Sequence, residues 1–89
     1  MRMQDRIAAK LSGALAPESL DVIDDSAKHA GHSGARPGGE THYTVEIVSA
    51  AFAGKNRVQR HRLVYDALKA EIADGVHALA VHARAPGEA

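Results

Sequence analysis

The stretch Arg57-Val-Gln-Arg-His-Arg-Leu-Val-Tyr-Asp-Ala-Leu-Lys-Ala-Glu-Ile-Ala-Asp-Gly-Val-His-Ala-Leu79 decides the fold. It holds a basic helix start, an amphipathic body, a glycine stop and a strand with a histidine at its head. Val58, His61, Tyr65, Leu68 and Ile72 recur at spacings of three and four, the pattern of one helical arc. Asn56 is a good N-cap for that helix, and Gly75 is a good stop. Beyond the glycine, Val76 to Arg84 alternates as a strand. His77, Leu79, Val81 and Ala83 share its core-facing side, and Ala78, Ala80, His82 and Arg84 share the other. Pro86 closes the pattern.

Upstream, Thr41 to Ser49 alternates too, with Tyr43, Val45 and Ile47 on one face and His42, Thr44, Glu46 and Val48 on the opposite one. Ala50 to Gly54 reads as a turn or a single helical turn anchored by Phe52. Residues 2–15 repeat Met3, Ile7, Leu11 and Leu15 every fourth position, which predicts a first helix ended by Pro17. Leu20 to Asp24 predicts a short strand antiparallel to the next. Residues 25–40 have no apolar period and are rich in Gly, Ser and Pro, which predicts a long mobile loop. The order is therefore αββααβ. This is an α+β domain spanning 1–89, with a three-stranded mixed sheet and helices packed on one face.

Composition narrows the function. The chain has 89 residues, 11 Lys+Arg against 11 Asp+Glu, six histidines and no cysteine. Zero net charge argues against nucleic-acid binding through bulk charge. The lack of cysteine excludes a disulfide framework, a thiol nucleophile and a zinc–thiolate site. No apolar run approaches membrane-spanning length, and Met-Arg-Met-Gln-Asp-Arg at the start lacks the apolar core of a secretory signal, so a cytoplasmic protein is expected. No Ser/His/Asp elbow, Walker loop or HExxH is present, and no enzyme activity is expected.

The histidines divide by context. His61 falls on the helical arc and reads as a half-buried structural residue. His42 and His82 lie on the open sheet face and read as solvated. His77 heads the last strand, where spacing leaves a capping role and a functional one open. His29 and His32 lie in the long loop, where a closing movement would bring one of them to His77. Lys55, Arg57, Arg60 and Arg62 cluster at a helix start, where backbone amides also favour phosphate. A solvated basic face is the plainer account of that cluster.

The segment Phe52-Ala-Gly-Lys-Asn-Arg-Val-Gln-Arg-His-Arg-Leu-Val-Tyr65, centred on Arg60-His61-Arg62, resembles a signature of the BolA family. So do Val76-His-Ala-Leu79 followed by Arg84-Ala-Pro-Gly-Glu88, and Glu40-Thr-His-Tyr43 leading into a strand that ends at Val48-Ser49. The resemblance implies a fold related to the type II KH domain. At the position of the KH clamp stands Gly54-Lys-Asn-Arg57, without the second glycine. It further implies a non-enzymatic partner of a monothiol glutaredoxin in a heterodimer that shares a [2Fe–2S] cluster, serving iron–sulfur trafficking or iron sensing. In that arrangement glutaredoxin and glutathione supply thiolates, and the isolated protein binds no cluster. His77 matches the family's histidine ligand, and the second ligand comes from the loop. In this cysteine-free chain the loop ligand is of the histidine type, His32 first and His29 as the alternative. The family resemblance also carries an alternative role, a DNA-binding, stress-responsive transcriptional regulator acting through Lys55, Arg57, Arg60 and Arg62.

Overall fold

A computed structural model describes residues 2–25 and 42–88. Helix α1 spans Met3–Leu15, and strand β1 spans Ser19–Asp24. Strand β2 spans His42–Val48, helix α2 Arg57–Ala67, helix α3 Lys69–Ala73 and strand β3 Ala78–Arg84. A single 3-10 turn, Ala50–Phe52, bridges β2 and α2. The predicted loop lies outside the described residues from position 26 to 41.

The sheet has the order β1-β2-β3. β1 is antiparallel to β2, with Ser19 opposite Val48 and Asp24 opposite Tyr43. β3 is parallel to β2, with His42 opposite Ala78 and Val48 opposite Arg84. Parallel pairing follows from the helical crossover that α2 and α3 supply, since two parallel strands cannot be joined by a hairpin. Tyr43, Val45 and Ile47 of the central strand are buried against Met3, Ile7, Leu11 and Leu15 of α1, Phe52, Val64, Leu68 and Val81. Each such side chain contributes roughly 1.5–3 kcal/mol by leaving water. The predicted faces of α1 and β2 are the observed core faces.

Ser49 fastens α1 to this core. It is fully buried, its hydroxyl donates to the Leu15 carbonyl at 2.5 Å, and the same oxygen accepts from the Ala51 amide at 3.1 Å. One side chain thus satisfies an orphan carbonyl at the end of α1 and an orphan amide at the start of the 3-10 turn. α1 ends at Ala16, which adopts a left-handed conformation with φ 43° and returns its amide to Ser12 at 3.2 Å. Asn56 caps α2 as predicted, and Gln59 completes a reciprocal capping box with both bonds at 2.9 Å. Gly75 follows α3 with φ 131°, a region closed to side chains.

The helical arc predicted over residues 58–72 is only in part the buried one. Leu68 is buried and His61 half-buried as that arc requires, but Val58, Tyr65 and Ile72 are 64%, 38% and 38% exposed, while Val64 and Glu71, outside it, are buried. Two things displace the arc. The helix breaks at Leu68, where φ −106° and ψ 17° separate α2 from α3. Glu71 also turns inward, because Arg6 of α1 reaches its carboxylate at 3.0 Å and Lys10 approaches the same oxygen at 3.8 Å. A hydropathy pattern assigns a glutamate to the surface, so the true face was hidden behind the one polar residue it contains.

Candidate functional site

Because β2 and β3 are parallel, they begin at the same end of the sheet, and that end collects two imidazoles. His42 opens β2 and is paired with Ala78, so His77 stands one residue before that pair. The two rings are 5.4 Å apart between centroids and tilted by 59°. His77 is exposed, just outside the strand rather than on its core-facing side, while His42 is only 8% exposed.

The expectation that His42 is solvated like His82 is therefore corrected. His82 is exposed, but the His77 ring lies against His42 and the backbone of Asp25 folds onto it. The Asp25 amide donates to the His42 carbonyl at 2.8 Å, and the Thr44 hydroxyl donates to the Asp25 carboxylate. Alternation gives the face of a strand residue but not what covers its first position. The pairing was not legible either, because it depends on the register of two strands separated by a helical crossover.

The described residues break off at Asp25 and resume at His42, at the same end of the sheet as His77 but with Asp25 on the β1 side of the central strand and His77 on the β3 side. His29 and His32 lie within that stretch, outside the described residues. Among the described residues no group of three or more His, Cys, Asp or Glu converges as a metal site.

A second surface lies at the other end of β3. Arg57, Arg60, His61, His82 and Arg84 line a cleft of about 290 Å³ between α2 and β3. Of the predicted basic cluster, Lys55, Arg57 and Arg62 are exposed. Arg60 is not available in the same way. Its guanidinium makes two hydrogen bonds to Glu88, at 2.6 and 2.8 Å, and also donates to the carbonyls of Lys55 at 2.9 Å and Ala83 at 3.3 Å. The hydrogen bonds from Arg60 and from the Ala85 amide lower the Glu88 carboxyl to about 2. Glu88 in turn raises Arg60. The sequence pattern did not show His82 and Arg84 as neighbours of α2, because the strand-to-helix contact depends on β3 being the uncovered edge.

His61 is half-buried, as predicted, with its ring 6.4 Å from that of Tyr65 in an edge-on arrangement. The Tyr65 hydroxyl donates to the Leu79 carbonyl at 3.1 Å and so ties α2 to β3. No described helix is long and apolar enough to cross a membrane.

Comparison with known proteins agrees with this arrangement. Residues 11–88 match the family described as BolA-like protein. A Sinorhizobium sp protein known by its place in the cobS 5′ region is 51% identical over 89 residues, which cover 99% of this chain and 96% of that protein. The chloroplastic protein BOLA1 of Arabidopsis thaliana is 46% identical over 93% of this chain, which spans 53% of its length. The solved BolA domain of SufE1 from Arabidopsis thaliana superposes with a TM-score of 0.87 at 48% identity, covering 97% of this chain and 94% of that one. With the family's sequence matched over residues 11–88 and the overall fold shared with a solved BolA domain, the chain belongs to the BolA-like family.

Proposed function

We propose that this protein is a non-enzymatic partner of a monothiol glutaredoxin, sharing a [2Fe–2S] cluster in a heterodimer. The observation that carries the reading is the exposed His77 imidazole, packed on His42 at the sheet end that also carries Asp25. The donor chemistry fits half of such a cluster. Imidazoles on this side complement thiolates from glutaredoxin and glutathione, and this chain has no cysteine to duplicate them. His77 would hold one iron position, with His32, or else His29, brought from the loop. When bound, the cluster would supply a redox-active and transferable iron–sulfur unit with the raised potential that histidine ligation confers. The chain's own contribution is to fix one imidazole at a strand start, beside His42. The reading serves iron–sulfur trafficking or iron sensing in the cytoplasm.

The test is to mix the protein with a cluster-loaded monothiol glutaredoxin and record visible circular dichroism. Wild type is expected to give a spectrum distinct from that of the glutaredoxin alone. An identical spectrum from His77→Ala removes His77 as a ligand.

A second reading, a DNA-binding and stress-responsive regulator, is favoured by the basic cleft. Arg57 and Arg84 both line it, together with His61 and His82. Lys55 and Arg62 extend the positive surface along the start of α2. Loss of binding to promoter DNA at physiological salt sinks it.

A further inference from the structure

We infer that the outward side of α2 is a docking surface for an acidic amphipathic helix of another protein. The inference uses none of the residues assigned to cluster binding. Among the described residues, the large apolar side chains left exposed are Ile23, Val58, Tyr65 and Ile72, and all but Ile23 belong to α2 and α3. Val58 is the most exposed of them, at 64%. Val58 and Tyr65 line a shallow, mostly apolar groove of about 450 Å³ together with His61, Arg57 and Arg62. At about 100° per residue, Val58, His61 and Tyr65 fall within one strip of the helix, and Arg57 and Arg62 lie on its two opposite flanks. The groove is thus apolar along its middle and cationic along both rims.

The strip is held in place by the rest of the fold. The Tyr65 hydroxyl donates to the Leu79 carbonyl at 3.1 Å, and the His61 ring meets the Tyr65 ring edge-on at 6.4 Å. An aromatic wall fixed before anything docks lowers the ordering cost of binding. Aromatic side chains and arginines together are also the residues enriched in protein interfaces.

Charge selects the occupant. Neither Arg57 nor Arg62 is ion-paired among the described residues, whereas Arg60 between them is held by Glu88. Free guanidinium forks pair best with carboxylates or phosphates. A helix with apolar residues at i, i+3 or i+4 and i+7, and Asp or Glu on both flanks, matches the strip and its two rims. A second copy of this chain, seated on the same patch about a two-fold axis, would bring two arginine-rimmed surfaces together. Nucleic acid would engage the arginines but leave Val58, which has no aromatic face to stack a base, without a partner.

The experiment uses the full chain and a labelled synthetic helical peptide with Leu along one strip and Glu on both flanks. Binding is read by fluorescence anisotropy at physiological salt and by ¹H–¹⁵N amide shifts. The expected result is saturable binding of one peptide per chain, with the shifts centred on α2. Val58→Ser and Arg62→Gln should each weaken it at least about fivefold. Both residues are exposed, so neither change disturbs the core. The same peptide with Lys in place of Glu should not bind, and Asp21→Asn on β1 should bind the acidic peptide as wild type does. The inference is overturned if no binding is seen up to about 1 mM peptide, a contact too weak to be specific. It is equally overturned if Val58→Ser binds as tightly as wild type. Duplex DNA that shifts the α2 amides where the acidic peptide does not would make the surface a nucleic-acid face and also overturn it.

Discussion

The carboxylate of Glu88 grips the guanidinium of Arg60 in a two-pronged ion pair, at 2.6 and 2.8 Å, across 28 positions of sequence. The same carboxylate accepts from the Ala85 amide at 3.0 Å. The segment after β3 is thereby folded back onto α2, and the most enclosed arginine of the basic cluster is neutralised from within the chain.

This pair sets a pH dependence. The Glu88 carboxyl lies at about 2 in the folded chain, against 4.5 for the free group. A depressed carboxyl contributes stability that is fully present above the unfolded value and is lost as pH falls toward the folded one. Thermal melts between pH 6 and pH 2 should therefore show wild type above Glu88→Gln at the upper end. The gap should close as pH passes from about 4.5 to about 2. A gap that stays constant over that range means that the carboxylate's charge is not what stabilises the contact.

Ser49→Ala should destabilise the fold by about 1–3 kcal/mol, because removing the hydroxyl leaves the Leu15 carbonyl without its buried donor and strips the cap from the 3-10 turn. Ser49→Gly would add backbone freedom to the same loss, so alanine is the cleaner probe. Urea unfolding followed by far-ultraviolet circular dichroism gives the number. A change below a few tenths of a kcal/mol would show that water replaces the hydroxyl at no cost.

The Glu71 network makes an ordered prediction. Glu71 is 1% exposed and bonds to Arg6 at 3.0 Å, whereas Lys10 stands off at 3.8 Å. Arg6 also holds Asp74 at 2.7 Å, and both carboxylates raise it, Asp74 the more strongly. Removing one partner of a buried pair costs about 3–5 kcal/mol when nothing else compensates. Lys10 compensates in part, and the Arg6 guanidinium is open to solvent, so Arg6→Ala should destabilise the fold by less than such a fully buried pair. Lys10→Ala should cost less than Arg6→Ala, as exposed ion pairs contribute about 0–1 kcal/mol. Equal losses in chemical denaturation would mean that Glu71 is held by general positive potential instead of the Arg6 contact.

The legible and illegible parts of this molecule divide on physical grounds. α1 was readable because Met3, Ile7, Leu11 and Leu15 are apolar and all buried. β2 was readable because Tyr43, Val45 and Ile47 alternate with more polar residues. The cap at Asn56 and the stop at Gly75 are local backbone chemistry, which sequence carries directly. The arc of α2 and α3 was misplaced because its buried side includes Glu71, whose burial depends on Arg6, 65 positions away. His77 stood out through its place at a strand start and through family resemblance. Its neighbour His42 did not, since their meeting depends on the register of two strands separated by a helical crossover. The commitment of Arg60 to Glu88 was equally hidden, being a long-range pairing between surface charges.

That commitment separates the arginines in any nucleic-acid role. Each exposed cation that neutralises a phosphate adds about 0.9 to the slope of log affinity against log salt on duplex DNA. Arg57 and Arg62 are exposed and point no hydrogen bond at an acid among the described contacts, so Arg57→Ala and Arg62→Ala should each reduce the slope by about 1. Arg60→Ala should reduce it by clearly less, because Glu88 already occupies the guanidinium. Glu88→Gln frees that arginine and should steepen the slope. Fluorescence anisotropy with a duplex from 50 to 300 mM salt distinguishes the cases. If Arg60→Ala flattens the slope as much as Arg57→Ala does, phosphate displaces Glu88 from Arg60, and the ion pair is a switch on the basic cleft in place of a fixed clamp.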